Sequence, residues 1–239
     1  MHTVPGIKVL YFGTPVVLIT TRNEDGTPNI APMSSAWWLN GNAMLGLGNA
    51  SQTSANIARE GECVLNLPSS DMVGYVDRIA MTTARKEISA YRIEQGYRTE
   101  RDKFGLAGLT EQPSELVSPP RILECPIQME CRLTAVHPVG GENGLSAFEV
   151  EVLRTHVEAE LVIPGTHYID PEAWDPLIMK FCEFFGGGQP VHSSRLATGW
   201  NMPHTLRNLP VPDQAADAAG VGETPEKAGE PALSGSASA

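Results

Sequence analysis

The sequence predicts a mainly β fold, a β-barrel to which helices have been added. The 239 residues include 23 glycines and 19 prolines, about 18% of the chain against an ordinary share of about 12%, which predicts many turns. Runs rich in β-branched residues lie at both ends of the first 157 residues, and helix-like spacing is confined to the segment between them. Long strands first and last, with helices between, favour a barrel over a doubly wound parallel sheet.

The first strand is predicted at Pro15–Thr21, where the residues are mostly β-branched. Turn chemistry follows at Asn23–Gly26, which ends in Asp-Gly. Two further strands are predicted at Asn29–Leu39 and Ala43–Gly48. Because Pro32 cannot donate a ladder hydrogen bond, we expect an edge or a bulge there, where backbone groups are free to meet a ligand.

A helix is predicted to open in Gly48–Thr53 and to run to about Glu60, with Ser51 or Thr53 as its N-cap. Glycine lets the backbone approach a ligand closely, and a helix N-terminus presents unpaired N–H groups and a positive dipole end. The segment therefore predicts either a phosphate cradle or a plain capped helix after a turn. A strand at Glu62–Leu67 follows.

The rest of the chain is predicted to return from helix to strand. Ser70–Gly105 has apolar residues in helix-like spacing, at Met72, Val73, Val76 and Ile79. Together with Met81, these are more apolar residues than a solvent-exposed insertion would contain. They therefore predict burial against a partner subunit. Two strands are then predicted at Pro126–His137 and Ser146–Val157, and a helix near Pro176–Phe185, capped by the glycines at 186–188.

Composition narrows the class of protein. A net charge of −11 and a pI of about 5.0 argue against nucleic-acid binding, which needs a basic face. There is neither an apolar run long enough to cross a membrane nor a signal peptide, so we expect a cytoplasmic protein. Four cysteines without a C-x-x-C pair predict reduced structural thiols, and the scattered histidines predict no metal site. Pro210–Ala239 is expected to be a disordered tail behind one domain, residues 1–209.

Several segments together resemble the flavin reductase-like, FMN-binding split-barrel family, over roughly residues 10–185. The segments that carry the resemblance are Thr14–Thr21, Asp25–Ser35, Asn49–Thr53 with Asn56, Gly61–Pro68, Asp102–Thr110 and Val117–Cys131. The resemblance implies an FMN-binding split β-barrel, Greek-key-like, with helical insertions. It also implies a homodimer with the flavin near the subunit interface.

The resemblance assigns two stretches to the cofactor. Met33, Ser34, Ser35 and Ala36 are expected beside the isoalloxazine ring. The ribityl chain and phosphate are expected at Asn49, Ala50, Ser51, Gln52 and Thr53. Lys103 and Arg85 are candidates for additional phosphate charge, but a solvated surface position is favoured for each. Trp37 and Trp38 should face opposite sides of a strand, one towards the core and the other free to wall the flavin site.

The implied activity is transfer of a hydride from NAD(P)H to flavin, FMN or alternatively FAD, with the reduced flavin supplying a partner oxygenase or another acceptor. No catalytic residue is identified. Many reductases of the family carry a histidine before the penultimate barrel strand, but Gly140–Ser146 has none, and a packed or surface role is expected for His156. That departure favours an alternative, an FMN-binding electron-transfer or redox-sensing protein without NAD(P)H turnover. A barrel that has lost its flavin is a third hypothesis.

Overall fold

The computed structural model describes residues 1–141, 144–191 and 194–203, and this part of the chain is mainly β. The predicted tail, Pro210–Ala239, lies outside the described residues. The strands are β1 (Phe12–Pro15), β2 (Val17–Arg22), β3 (Pro28–Met33), β4 (Ala36–Leu39), β5 (Asn42–Gly48), β6 (Glu62–Leu67), β7 (Thr82–Thr83), β8 (Arg98–Thr99), β9 (Glu111–Gln112), β10 (Arg121–Ile122), β11 (Ile127–Val139), β12 (Leu145–Val157), β13 (Ile178–Lys180) and β14 (Glu183–Phe185). The helices are α1 (Gln52–Glu60), α2 (Val73–Ala80), α3 (Ala90–Glu94), α4 (Lys103–Ala107) and α5 (Arg195–Gly199).

The largest sheet has seven antiparallel strands, and its two edges are joined by a very short connection. The strand order is β3-β2-β6-β11-β12-β5-β4, so β3 and β4 are the edges. Only Ser34 and Ser35 separate the end of β3 from the start of β4. Three peptide steps span at most about 11 Å, so the sheet must curl until its edges approach each other. The result is a split β-barrel, the fold that the resemblance implied.

This topology corrects one predicted strand. The run Asn29–Leu39 is not continuous but is divided between β3 and β4, at opposite edges of the sheet. The interruption follows Pro32, where the edge or bulge was expected. The strands predicted at Glu62–Leu67 and Ala43–Gly48 are confirmed, the second beginning one residue earlier.

Two apolar cores lie on the two faces of the sheet, and β2 contributes to both. Val17 and Ile19 belong to one core, with Leu45, Leu65 and Phe148 among others. Leu18 belongs to the other core, which α2 and α4 cover with Val76, Ile79 and Phe104. Alternate residues of a strand point to opposite faces, so a wholly apolar strand is buried on both sides.

The second core contradicts the prediction that the apolar residues of Ser70–Gly105 are buried against a partner subunit. Met72, Val76 and Ile79 are buried against the chain's own residues, and Val73 packs against the same core. Met81 is 40% exposed. The apolar spacing was therefore that of helices covering their own sheet, and the inference that these residues need a partner subunit is wrong.

The helix predicted near Pro176–Phe185 is also wrong. β13 and β14 form an antiparallel hairpin there, and β13 pairs with β1. Phe181 and Cys182, between the strands, have φ values of 49° and 70°. Two consecutive left-handed residues make the turn that suits a two-residue hairpin, and pairing with β1 supplies the hydrogen bonds that a helix would have supplied.

No helix among the described residues is long and apolar enough to cross a membrane. All four cysteines are free thiols. Cys63, Cys125 and Cys131 are buried, and Cys182 is exposed.

Candidate functional site

Two adjoining cavities lie at the N-terminal end of α1. The smaller has a volume of about 210 Å³ and lies between β3, the end of β5, and the residues that follow α2. The larger has a volume of about 570 Å³ and is reached past the first turn of α1. Gln52 and Ala84 line both cavities, so they are two parts of one groove.

We call the first turn of α1 the cradle; it is a capped helix N-terminus, and Gln52 in it lines both cavities. Ser51 is the N-cap, as the sequence predicted for Ser51 or Thr53, and its Oγ accepts a hydrogen bond from the peptide N–H of Ser54 at 3.0 Å. The Oγ of Ser54 donates to the carbonyl of Gly48 at 2.8 Å, which fixes the loop before the helix. The N–H groups of the first turn have no carbonyl partner within an α-helix and carry its positive dipole end.

Thr53 lies in the smaller cavity, beside an asparagine that the sequence analysis did not assign to the site. Asn29 Nδ2 donates to Thr53 Oγ1 at 3.2 Å and to Thr21 Oγ1 at 3.3 Å. Asn29 is 1% exposed, and its Oδ1 is buried with no hydrogen-bond partner among the described residues. A buried acceptor without a partner is costly, so this oxygen is suited to a ligand donor.

Lys103 also lines the smaller cavity, and the surface position expected for it is wrong. The side chain is buried, the residue being 3% exposed, and Nζ donates to the carbonyl of Ile30 at 2.8 Å. Burial lowers the pKa of Lys103 to about 8, and Glu100 opposes this by raising it. An ammonium group has three donors, so the one bond to Ile30 leaves others for a ligand.

Arg85 joins the wall of the larger cavity to the cradle. Its Nη2 donates to the carbonyl of Ser51 at 3.2 Å, and its Nε is buried without a partner among the described residues. Arg85 lines the larger cavity together with Ala50, Gln52, Lys86 and Arg101. A half-buried guanidinium with an unused donor, beside a helix N-terminus, is an arrangement that binds phosphate.

The four residues expected beside the flavin ring have different surroundings. Met33 lines the smaller cavity. Ser34 is buried between β3 and β4, whereas Ala36 packs into the barrel core. Ser35 Oγ lies 3.3 Å from the hydroxyl of Tyr11. The structure thus brings Met33 to the cavity and gives Ala36 a packing role.

The five residues expected at the ribityl chain and phosphate lie together around the cradle. Ser51, Gln52 and Thr53 line the smaller cavity, and Ala50 lines the larger one. Asn49 is exposed, and its peptide N–H donates to the carbonyl of Gly144 at 2.8 Å. Asn49 therefore fixes the loop to the turn between β11 and β12.

The two tryptophans of β4 face as predicted, and one further aromatic residue reaches the smaller cavity. Trp37 and Trp38 face opposite sides as predicted, Trp38 packing against the barrel core and Trp37 being 55% exposed. Tyr97, which the sequence did not point to, lines the smaller cavity, and the guanidinium of Arg92 lies 5.0 Å from its ring centroid. His156 lines neither of the two cavities. Its Nε2 lies 2.7 Å from Glu130 Oε1.

Comparison with known proteins agrees with this architecture. Residues 9–170 match the family described as flavin reductase like domain. The protein YdfE of Bacillus subtilis, which is uncharacterised, is 39% identical over 184 residues, covering 77% of this chain and 88% of YdfE.

Two solved structures share the fold. Flavoredoxin of Desulfovibrio vulgaris (Miyazaki F) superposes with a TM-score of 0.68 at 23% identity, covering 83% of this chain and all of flavoredoxin. Nitrilotriacetate monooxygenase component B of Bacillus cereus superposes with a TM-score of 0.63 at 21% identity, covering 81% of this chain and 98% of that protein. By its sequence match and its split barrel, the chain belongs to the flavin reductase-like family.

Proposed function

We propose that this chain binds FMN in the groove at α1 and acts as an NAD(P)H:flavin oxidoreductase whose reduced flavin supplies an oxygenase or another acceptor. When bound, the flavin accepts a hydride and passes the electrons on, and the chemistry of that transfer belongs to the cofactor. The part of the protein is to hold the flavin, set the charge around it and exclude competing reactions.

The observation that carries the proposal is the unused Nε of Arg85 beside the capped N-terminus of α1. A phosphate at this end of the groove would receive the Arg85 donor and the free N–H groups of the first turn. Arg85 is already oriented by its bond to the Ser51 carbonyl, so little side-chain freedom would be lost on binding.

The smaller cavity supplies what a flavin ring or ribityl chain needs. Asn29 offers a free acceptor, and Lys103 offers free donors with a positive charge. Flavin has both N–H or hydroxyl donors and carbonyl acceptors, so the two groups are complementary to it. A cation held in a site of low polarity also stabilises the negative charge that develops on reduction. Met33 and Gly46 also line this cavity.

The test is to titrate the purified chain with FMN and follow flavin fluorescence, then add NADH or NADPH to the complex without oxygen. Binding of FMN, followed by bleaching of its visible absorption, is the expected result. A chain that binds no flavin would support the third hypothesis, a barrel that has lost its cofactor.

A second candidate is electron transfer or redox sensing without NAD(P)H turnover. The histidines nearest to the hairpin loop are both held by carboxylates, since His137 Nε2 lies 2.9 Å from Glu149 Oε2 and His156 is paired with Glu130. The similarity in fold to flavoredoxin is in keeping with such a role. FMN that binds tightly, stays oxidised with both nucleotides and is reduced by dithionite would favour this candidate.

We also propose that the protein is a cytoplasmic homodimer. The exposed side of the edge strand β4, with Trp37 at 55% and Leu39 at 68% exposure, is the surface we assign to the second subunit. Large apolar side chains next to each other on an edge strand are commonly covered by another chain.

A further inference from the structure

A third cavity shares no lining residue with the groove at α1. It is formed where β9, β10, the start of β11 and the end of β12 come together, and its volume is about 250 Å³. Cavities that take drug-sized ligands measure roughly 300–1,000 Å³, so this one suits a smaller molecule. The proposed flavin chemistry assigns it nothing.

Arg121, in the wall of this cavity, is a buried cation without an acidic partner. The residue is 9% exposed, and no carboxylate of the described residues forms an ion pair with it. Its Nε and Nη2 donate to the carbonyl of Pro113 at 3.2 and 2.9 Å, and its Nη1 donates to Gln128 Oε1 at 2.9 Å. A guanidinium has five N–H donors, so these three bonds leave two without an acceptor among the described residues. Because an unpaired buried charge is costly, Arg121 is suited to an anionic ligand.

Gln128 holds Arg121 beside His156. Gln128 and His156 are directly opposite each other in β11 and β12, so their side chains lie on the same face of the sheet. The amide nitrogen of Gln128 donates to the carbonyls of Ile122 and Cys125 at 2.7 and 3.0 Å, which leaves its Oε1 to accept from Arg121. Arg121 and His156 therefore border one space.

His156 offers an acceptor to the same space. Its Nε2 lies 2.7 Å from Oε1 of the fully buried Glu130. Burial raises the pKa of this carboxyl, but the N–H groups of Glu115 and Leu116 and the ring of His156 lower it overall. Because an ionised carboxylate can only accept, Nε2 carries a proton, and Nδ1 of the neutral ring is an acceptor. Nδ1 makes no hydrogen bond with the described residues.

Apolar side chains and one further carboxylate also line the cavity. Leu123, Pro126 and Val157 supply the apolar surface. Glu158 is exposed, and its side chain makes no hydrogen bond or ion pair with the described residues. One cavity thus combines a cation with free donors, an acceptor, apolar surface and a free negative charge.

We propose that this cavity binds a small carboxylate whose α-carbon carries a hydrogen-bond donor and an aliphatic side chain. The ligand's carboxylate accepts from the two unused donors of Arg121, and its donor is directed to Nδ1 of His156. Its side chain contacts the apolar surface. Both α-amino acids and α-hydroxy acids have this chemistry. The charge of Glu158 favours an ammonium group over a hydroxyl, so an aliphatic amino acid is the expected ligand.

Calorimetric titration of the full chain with three probes of nearly equal shape tests the recognised groups. The probes are L-leucine, (S)-2-hydroxy-4-methylpentanoate and 4-methylpentanoate, which lacks the donor. We expect affinity to fall at least about threefold from the first to the second and from the second to the third, as for the loss of one polar contact at each step. Glu158→Gln should abolish the preference for leucine over the hydroxy acid. Glu160→Gln is the matched control, because Glu160 is also exposed but does not line the cavity.

Two further variants test the position of the carboxylate. Arg121→Lys keeps the charge but loses the fork of donors, and should weaken all three probes about tenfold or more. Since Arg121 also holds the Pro113 carbonyl, Leu123→Glu is a second variant that leaves this bond in place. Leu123 is 51% exposed, and a negative charge there should weaken all three probes, whereas Leu145→Glu, at a residue 49% exposed and outside the cavity, should not.

Three results would overturn the proposal. The first is the absence of binding heat with all three probes. The second is binding that Leu123→Glu leaves unchanged, since the ligand would then lie elsewhere. The third is equal affinity for all three probes, because the cavity would then recognise no donor beside the carboxylate. All titrations use the flavin-free chain, so their outcome does not depend on the proposed flavin chemistry.

Discussion

The peptide N–H of Gly46 donates a hydrogen bond to the carbonyl of Ser35 at 2.7 Å, which joins β5 to the connection between the two edge strands. The two backbones are so close that a Cβ on Gly46 would lie 2.9 Å from the Cβ of Ser35. Gly46 also lines the smaller cavity. The seam of the barrel and the wall of the site therefore depend on the same close approach.

Gly46→Ala should destabilise the protein by about 1–3 kcal/mol, since the added methyl group forces the seam apart. FMN affinity should fall with it, because Met33 and the cavity wall would shift. Denaturant unfolding and FMN titration measure the two effects. Gly48→Ala is the matched control, since a Cβ there would meet no atom within 4 Å. Equal effects of the two substitutions would contradict the steric explanation.

Lys103→Met should make the flavin-free protein more stable at pH 7 while weakening its flavin binding. Burial lowers the pKa of Lys103 to about 8, so at pH 7 the folded state carries a charge that it disfavours. Replacing the ammonium by an apolar side chain of similar length should therefore raise the free energy of unfolding by about 1–3 kcal/mol. Thermal melts without FMN measure the gain in stability, and melts with FMN measure the loss of flavin binding. A less stable flavin-free variant would show that the bond to the Ile30 carbonyl outweighs the cost of burial.

The same lysine predicts how stability and binding depend on pH. An unfolded lysine keeps its proton up to its ordinary pKa of 10.5, whereas the folded chain releases it near pH 8. The unfolded state binds more protons between these values, so the stability of the flavin-free protein should rise as pH increases from about 8 to 10.5. FMN affinity should fall over the first part of this range, since the Lys103 charge is lost. Lys103→Met should show neither dependence.

The sequence predicted the barrel strands well because their apolar patterns are local. It could not predict the division of Asn29–Leu39 into opposite sheet edges, since a two-residue connection between edges looks like a bulge in one strand. It also assigned a helix to Pro176–Phe185, where pairing with the distant β1 decides the structure. Neither outcome can be inferred from residues a few positions apart.

Only the part of the candidate site that lies in one local segment could be predicted from the sequence. Ser51 and Thr53 lie in one helix turn with recognisable capping chemistry, whereas Asn29, Tyr97 and Lys103 reach the cavity from three separate parts of the chain. Lys103 in particular follows an N-cap aspartate in a polar stretch, which is typical of an exposed helix start. Its burial results from packing of α4 against β3 and α2, which is a tertiary effect.

Replacing Ser51 and Thr53 together by alanine should lower flavin affinity at least about tenfold while the fold persists. The structure divides the two contributions, because Ser51 caps α1 and Thr53 accepts from Asn29. Loss of the cap alone should cost about 1 kcal/mol of stability. Ser89→Ala is the matched control, since Ser89 caps α3 by accepting from the Arg92 N–H at 3.4 Å. Unchanged flavin affinity in the double variant would reject this cradle as the phosphate site.

The last prediction concerns the homodimer. Its interface is proposed at the edge strand β4, because the apolar residues of the middle segment are buried within their own chain. Trp37 and Leu39 are two residues apart on one face of β4 and are 55% and 68% exposed, while Trp38 between them packs inward. An obligate dimer interface typically buries over about 2,000 Å², so the dimer should persist at micromolar concentration.

Light scattering should therefore give about twice the chain mass of 25.7 kDa for the wild type and the single mass for Trp37→Glu. The charge would have to be buried without a partner in the dimer, whereas in the monomer it is solvated. Trp200→Glu is the matched control, since Trp200 is 76% exposed but lies after α5, far along the chain from β4, and this substitution should leave the dimer intact. If the flavin site is completed across the interface, Trp37→Glu should lose FMN affinity as it dissociates. A wild-type mass near 25.7 kDa with FMN still bound would show that one chain forms the whole site, and β4 would then be an uncovered edge.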